Sequence, residues 1–297
     1  MLELDGLSRR YGDVVALQEL SFSVEAGQLF GFVGANGAGK TTAMRIVVGL
    51  ERADAGEVRW QGDSVARLAR RRFGYLPEER GLYPNMQARW QLTYLARLRG
   101  VGRAAARRAA DDWLQRLGLA ERGDEPVQQL SLGNQQRVQL AAAMVHDPDV
   151  LLLDEPFAGL DPMGVDALSE VLVAVAGEGV AVVFSSHQLE LVEHLCDAVA
   201  IIDDGRLVAG GRVDELRRAG RRRQWRVDVA GADSAWATAL AGVHVRHTFA
   251  PDPDHAAAHA RRAGEGDEHG PDGDCTAVIV ELEDGERYRE VVTEGSP

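Results

Sequence analysis

The residues best suited to chemistry lie in three short stretches. The first, "GANGAGKTT" at positions 34–42, follows the apolar run "LFGFV" and precedes "TAMRIVVGL", which reads as a helix. A glycine-rich turn between strand and helix lets backbone N–H groups converge on phosphate oxygens, and the positive end of the helix dipole adds attraction. Gly34, Asn36, Gly37, Ala38 and Gly39 form the expected cradle. Lys40 is placed to reach β- and γ-phosphates, and Thr41, followed by Thr42, offers a hydroxyl to Mg²⁺. The second stretch, "VLLLDEP" at 150–156, is a buried strand ending in two carboxylates. Asp154 is expected to hold Mg²⁺ through its water shell, and Glu155 to polarise the water that attacks the γ-phosphorus. The third, "FSSH" at 184–187, ends another apolar strand and brings His187 to the same edge.

Those residues meet only if their strands lie side by side. "VLLLDE", "VAVVFSS" (180–186) and "AVAIIDDGRLVAGG" (198–211) are unbroken apolar runs separated by helical stretches. That pattern predicts an α/β fold with a parallel sheet covered on both faces, whose ligands sit at the carboxyl ends of the strands. Asp204-Gly205 reads as a two-residue hairpin turn. The first sixty residues read mostly as strands, including "GEVRWQG" (56–62), and "RRFGYLP" (71–77) is a further short strand. Between 84 and 148 the sequence turns helical. Met86, Trp90, Tyr94, Leu95 and Leu98 fall on one face, as do Ala106, Ala109, Ala110, Trp113 and Leu117; both stripes are expected to be core.

Composition narrows the partners. The chain has 297 residues and a net charge of −13, an unsuitable surface for a phosphate backbone, so no nucleic acid is expected. Cys196 and Cys275 are isolated, with no disulfide framework or metal spacing, which fits a reducing cytoplasm. No signal-peptide core opens the chain, and no window approaches the roughly 20 apolar residues of a membrane span. Work at a membrane would need a second chain.

One stretch stays unexplained by this chemistry: "LSLGN", beginning at Leu130. Set beside "RRYGDVVAL", the phosphate loop, "GYLPEER", "LLLDEP", "AGLD" (158–161) and His187, it completes a series. In that order the motifs resemble those of the ATP-binding subunits of ABC transporters, over roughly residues 2–215. The resemblance implies a P-loop NTPase fold of the ABC type: a parallel core sheet, an N-terminal antiparallel β subdomain and a helical subdomain at about 84–148. It implies ATP and Mg²⁺ as ligands. Tyr11 matches the aromatic that stacks on adenine, and Glu78 stands in the lid, where the family usually has Gln, as a candidate Mg²⁺ ligand. Asp161 falls in an inter-subunit loop. It implies, finally, a head-to-tail dimer with a second ATP-binding subunit, most simply a homodimer. In such a dimer Ser131, Gly133 and Asn134 cap the γ-phosphate held by the partner. Leu132 and Asn134 depart from the usual Gly and Gln.

The run "FGYLPEERGLYP" resembles one branch of exporter subunits, those paired with a separate ABC-2-type integral-membrane permease and carrying a small C-terminal domain. Localisation would then be cytoplasmic and peripheral to the inner face of the cell membrane. The permease is expected to dock near residues 75–90, where Arg80, Tyr83, Arg89 and Trp90 suit a contact. Residues 216–297 are expected to form a small, mostly-β accessory domain with a solvated acidic loop at 251–274. The alternative is a non-transport ABC-type ATPase acting on a soluble or nucleic-acid partner. The stretch from Lys40 to Ser131 lacks the sustained heptads that chromosome-type relatives need.

Overall fold

The computed structural model describes residues 1–65, 69–79 and 81–219, and the backbone of three further strands, 224–230, 243–249 and 275–282. By packing, the chain divides into two compact units, Met1–Leu216 and Arg217–Pro297.

In the first unit, β1 (Leu2–Tyr11) and β2 (Val14–Val24) form a long hairpin, followed by β3 (Leu29–Val33) and α1 (Lys40–Val48). β4 (Ala55–Trp60), β5 (Asp63–Ser64) and β6 (Phe73–Leu76) precede three helices: α2 (Ala88–Leu98), α3 (Arg103–Arg116) and α4 (Leu132–Met144). Then come β7 (Val150–Leu153), α5 (Pro162–Gly177), β8 (Ala181–Ser186), α6 (Leu189–Leu195), β9 (Ala198–Asp203), β10 (Arg206–Arg212) and α7 (Val213–Ala219).

Two sheets result. An antiparallel sheet runs β2-β1-β4-β5, and a six-stranded sheet runs β10-β9-β3-β8-β7-β6. In the second, β9, β3, β8, β7 and β6 are all parallel, and β10 returns antiparallel on β9. The return is made at Asp204-Gly205, both at positive φ (45° and 75°), as the two-residue turn requires.

The unbroken apolar strands are explained by two cores, one on each face. Successive side chains of a strand point to opposite faces. In β7, Val150 and Leu152 join a core shared with α1 and the antiparallel sheet, while Leu151 and Leu153 join one shared with α4, α5 and the helical region. Phe32 and Phe73 belong to the first core and Phe184 to the second. Each such buried side chain contributes about 1.5–3 kcal/mol over exposure.

The helical region corrects one expectation. The α3 stripe is core, with Ala106, Ala110, Trp113 and Leu117 buried. The α2 stripe is not: Trp90, Tyr94 and Leu98 are exposed, and the buried face is Ala88, Gln91, Leu92 and Ala96. Small residues let α2 approach α3 and α4 closely, and the side-chain oxygen of the buried Gln91 accepts the Tyr83 N–H at 2.7 Å. Large side chains dominate a periodicity reading, and here they lie on the outer face.

In the second unit, β11 (Gln224–Ala230), β12 (Val243–Phe249) and β13 (Cys275–Leu282) form an antiparallel sheet of order β11-β13-β12. The 251–274 loop lies outside the described residues, as does Arg80.

Candidate nucleotide site

The strand order places β8 between β3 and β7. Their carboxyl ends carry, side by side, the phosphate loop (β3), Ser185 to His187 (β8) and the acid pair (β7). The next strand, β6, ends in the lid, and the Asp154 N–H donates to Leu76 O at 2.8 Å.

The loop between β3 and α1 is fixed by its own backbone. Gly39 precedes the helix with φ 106°, and a Cβ there would lie 2.4 Å from Ala16 O. Gly34 is similarly confined: a Cβ would lie 2.4 Å from Ile202 O. Around it, the Gly34 N–H donates to Ser186 O (3.4 Å), the Ala38 N–H to Ala35 O (3.1 Å) and the Gly205 N–H to Ala38 O (3.0 Å). Asn36 and Gly37 are exposed at the crest and Ala38 is buried beneath it; Thr41 and Thr42 are half-buried in the first turn of α1. Lys40 is buried. Its ammonium donates to Gly34 O (2.7 Å) and Ala35 O (3.1 Å) and lies 3.7 Å from Glu155 Oε1.

Glu155 is the meeting point. Besides Lys40, it faces His187, whose Nδ1 lies 3.1 Å from Glu155 Oε2. Its backbone is held at φ 48°, a region a side chain rarely adopts without compensation. The compensation is Ser185, fully buried, whose Oγ accepts the Glu155 N–H at 2.8 Å and donates to Asp154 Oδ1 at 2.7 Å. One hydroxyl thus positions both acids. Asp154 is also buried, and its Oδ2 has no hydrogen-bond partner. A buried carboxylate oxygen left over in this way fits a hard divalent cation, which takes oxygen ligands.

The "LSLGN" residues lie at the start of α4. Ser131 is exposed and caps that helix, its Oγ accepting the Asn134 N–H at 3.4 Å. Gly133 and Asn134 are half-buried, and nothing joins the three to their own chain's phosphate loop among the described contacts. The same helix carries two buried glutamines that the sequence reading missed. The Gln136 side chain donates to Pro156 O at 2.8 Å, beside the acid pair. That of Gln139 donates to Pro77 O at 2.9 Å, in the lid. No sequence signal marked them, because only the packing of α4 shows which of its amides are buried and need partners.

Asp161 caps α5 by accepting the Gly164 N–H at 2.8 Å. Glu78 is exposed and makes no hydrogen bond or ion pair among the described residues. Tyr11 is 42% exposed; its hydroxyl bonds to Glu51, and the Arg9 guanidinium lies 4.7 Å from the ring centroid. Among the described contacts Tyr11 does not touch the loop at 34–42. Arg89 is tied to Asp111 and Asp124, so its charge is already committed within the chain.

A family model for the ABC transporter domain matches residues 17–158. The uncharacterized ABC transporter ATP-binding protein YhaQ of Bacillus subtilis is 42% identical over 219 residues, covering 74% of each chain. The chain belongs to the ABC transporter ATP-binding proteins. Another relative of this ABC family, the Nod factor export ATP-binding protein I of Ralstonia nicotianae, is 37% identical, covering 73% of this chain and 68% of that one. The solved structure of an ATP-binding subunit of an ABC transporter superposes with a TM-score of 0.67 at 31% identity, over 74% of this chain and 92% of that one. The fold is that of ABC-type P-loop ATPases, and the protein is a nucleotide-binding ATPase of that transport-coupled kind. Among the described residues no helix is long and apolar enough to cross a membrane.

Proposed function

We propose that this chain is the ATP-hydrolysing subunit of an exporter, energising a separate ABC-2-type permease from the cytoplasmic face of the membrane. The Nod factor export relative supports the direction of transport, and the lid run "FGYLPEER" supports the branch. The observation that carries the catalytic reading is the convergence on Glu155: Lys40 at 3.7 Å, His187 at 3.1 Å, and a backbone held by Ser185.

In this reading the backbone N–H groups of residues 34–39 and the Lys40 ammonium bind the β- and γ-phosphates. Tyr11 packs on the adenine. Thr41 and Asp154 would hold Mg²⁺, with Glu78 reaching it from the lid. When bound, that ion would neutralise charge on the phosphate oxygens. Glu155 accepts a proton from the attacking water as its oxygen bonds to the γ-phosphorus. The bond to the β–γ bridging oxygen breaks, and ADP leaves with the electron pair. His187 orients the Glu155 carboxylate and donates to the γ-phosphate. Ser131, Gly133 and Asn134 serve the ATP of a second copy of the chain, and Asp161 lies at the contact between copies. The exposed helix start at Ser131 suits that task, since uncharged donors at a helix N-terminus hold anions. Two nucleotides buried between subunits stabilise the closed dimer, and hydrolysis releases it. The permease docks near the lid, with Tyr83, 54% exposed, as one anchor. Residues 1–215 form the ATPase domain in this reading, and 216–297 an accessory domain.

The test is Glu155→Gln. It should retain ATP binding, lower turnover about 10²- to 10⁴-fold and trap an ATP-bound dimer visible by size exclusion. Wild-type turnover in the variant would remove Glu155 from the mechanism.

A further inference from the structure

α2 presents two faces of different character. Its inner face is buried. Its outer face carries Trp90, Tyr94 and Leu98, exposed by 66%, 37% and 65%. They are spaced four residues apart, so they stack along one line of the helix. Beside that line α3 begins, and between the two helices lies a groove of about 290 Å³. Its lining includes Trp90, Tyr94, Arg97, Arg103, Arg107 and Asp124.

The charges in this groove do not balance. Asp124 is engaged by Arg89. Arg97, Arg103 and Arg107 are exposed and make no ion pair among the described residues. Three uncompensated guanidinium groups and two aromatic rings therefore share one small surface, on a chain whose net charge is −13. Neither the hydrolysis of ATP nor the contact between copies uses them.

We propose that this groove and the line of side chains beside it seat on the anionic headgroups of a phospholipid surface. The proposal rests on the reading that the chain works beside a membrane permease, but it concerns lipid and depends on arginines beyond the span assigned to the permease, assigning Trp90, at the end of that span, to lipid instead. Guanidinium groups pair with phosphate oxygens through two parallel hydrogen bonds. Trp and Tyr rings settle at the membrane–water boundary, with the apolar body inward and the polar edge among headgroups. The local excess of positive charge on this face complements an anionic surface despite the net charge of −13 on the chain. An acidic peptide lying in the groove would satisfy the arginines but leave Leu98, which is outside the groove lining, in water. A planar boundary covers Trp90, Tyr94 and Leu98 together.

The experiment sediments the full chain, without nucleotide, with vesicles of phosphatidylcholine alone or mixed with phosphatidylglycerol, at physiological salt. Each basic residue near such a surface strengthens binding about fivefold, so three predict about a hundredfold preference for the anionic vesicles. The combined Arg97→Glu, Arg103→Glu, Arg107→Glu variant should lose that preference while keeping its thermal midpoint, because all three side chains are exposed. Trp90→Ala should weaken binding about tenfold and leave the preference for anionic vesicles in place. Equal binding to both vesicle types overturns the proposal, as does an arginine variant that binds like wild type. It is equally overturned if the arginine variant loses a purified permease in detergent but keeps its vesicle binding, which would assign the groove to an acidic segment of that partner. Failure of the hydrolytic reading would leave the vesicle result untouched, since no nucleotide is present.

Discussion

Ser185→Ala removes the one hydroxyl that serves both acids of the site. Ser185 Oγ donates to Asp154 Oδ1 at 2.7 Å and accepts the Glu155 N–H at 2.8 Å. Alanine leaves the buried Asp154 carboxylate without a partner on either oxygen, because Oδ2 already has none. Losing a bond to a charged acceptor costs about 1.5–3 kcal/mol and leaving the N–H unpaired about 1 kcal/mol, for about 2.5–4 kcal/mol together. For a unit of this size each kcal/mol lowers the melting midpoint by about 2–4 °C, so a fall of about 5–16 °C is expected in calorimetry of the ligand-free protein. A second effect follows from the backbone. The Glu155 φ of 48° is no longer held, and the carboxylate relaxes away from Lys40 and His187. Turnover should fall at least about tenfold with little change in KM, the pattern of an interaction made only in the transition state. A midpoint within about 2 °C of wild type together with unchanged kcat would refute the reasoning, since both effects derive from the same two hydrogen bonds.

Ser131→Arg should leave the ATP affinity of an isolated monomer nearly unchanged and abolish the closed dimer; a large affinity loss in the monomer, measured by calorimetry, would place Ser131 in its own chain's site. An Mg²⁺ titration of ATPase activity should shift for Glu78→Ala relative to wild type, whereas superimposable curves would show that this carboxylate never reaches the metal. Burial, and then the charge of Arg99, hold His146 down at about 4 rather than 6.5. The unfolded chain therefore takes up a proton near pH 6.5 that the folded chain refuses until about pH 4. The His146 contribution to stability is whole above pH 6.5, declines as pH falls through that window and amounts to about 3 kcal/mol. Urea midpoints across that range should fall less steeply for His146→Gln, and equal slopes would count against the assignment.

Much of the central sheet was legible because its strands are short, apolar on both faces and punctuated by glycine, proline or acid. "VLLLDEP" and "VAVVFSS" specify their own boundaries to within about two residues. The placement of the loop at 34–42 was legible for the same reason: strand, glycines, lysine and helix follow one another in the chain. What escaped depends on contacts distant in sequence. Ser185 reads as a small residue ending a strand, and only the adjacency of β7 and β8 brings it to Asp154 and Glu155. Gln136 and Gln139 read as ordinary helix residues until α4 is seen against the lid and the acid strand. The outer face of α2 was misread because a pattern of large side chains looks the same whether it faces the core or the solvent; the alanines opposite it decide the matter.

The two glutamines of α4 have a consequence for how the cassette exchanges information. The helix is capped by the exposed Ser131, and eight residues later, at Gln139, it grips the lid. A rigid segment with a contact at each end transmits in both directions, and thermodynamic linkage makes the two transmissions equal in binding free energy. In the proposed dimer, any factor by which the permease's hold on the lid changes the affinity for the partner's nucleotide is the same factor by which that nucleotide changes the lid's affinity for the permease. Amides serve such a linkage well: unlike carboxylates or ammonium groups, they carry no charge for salt or pH to weaken.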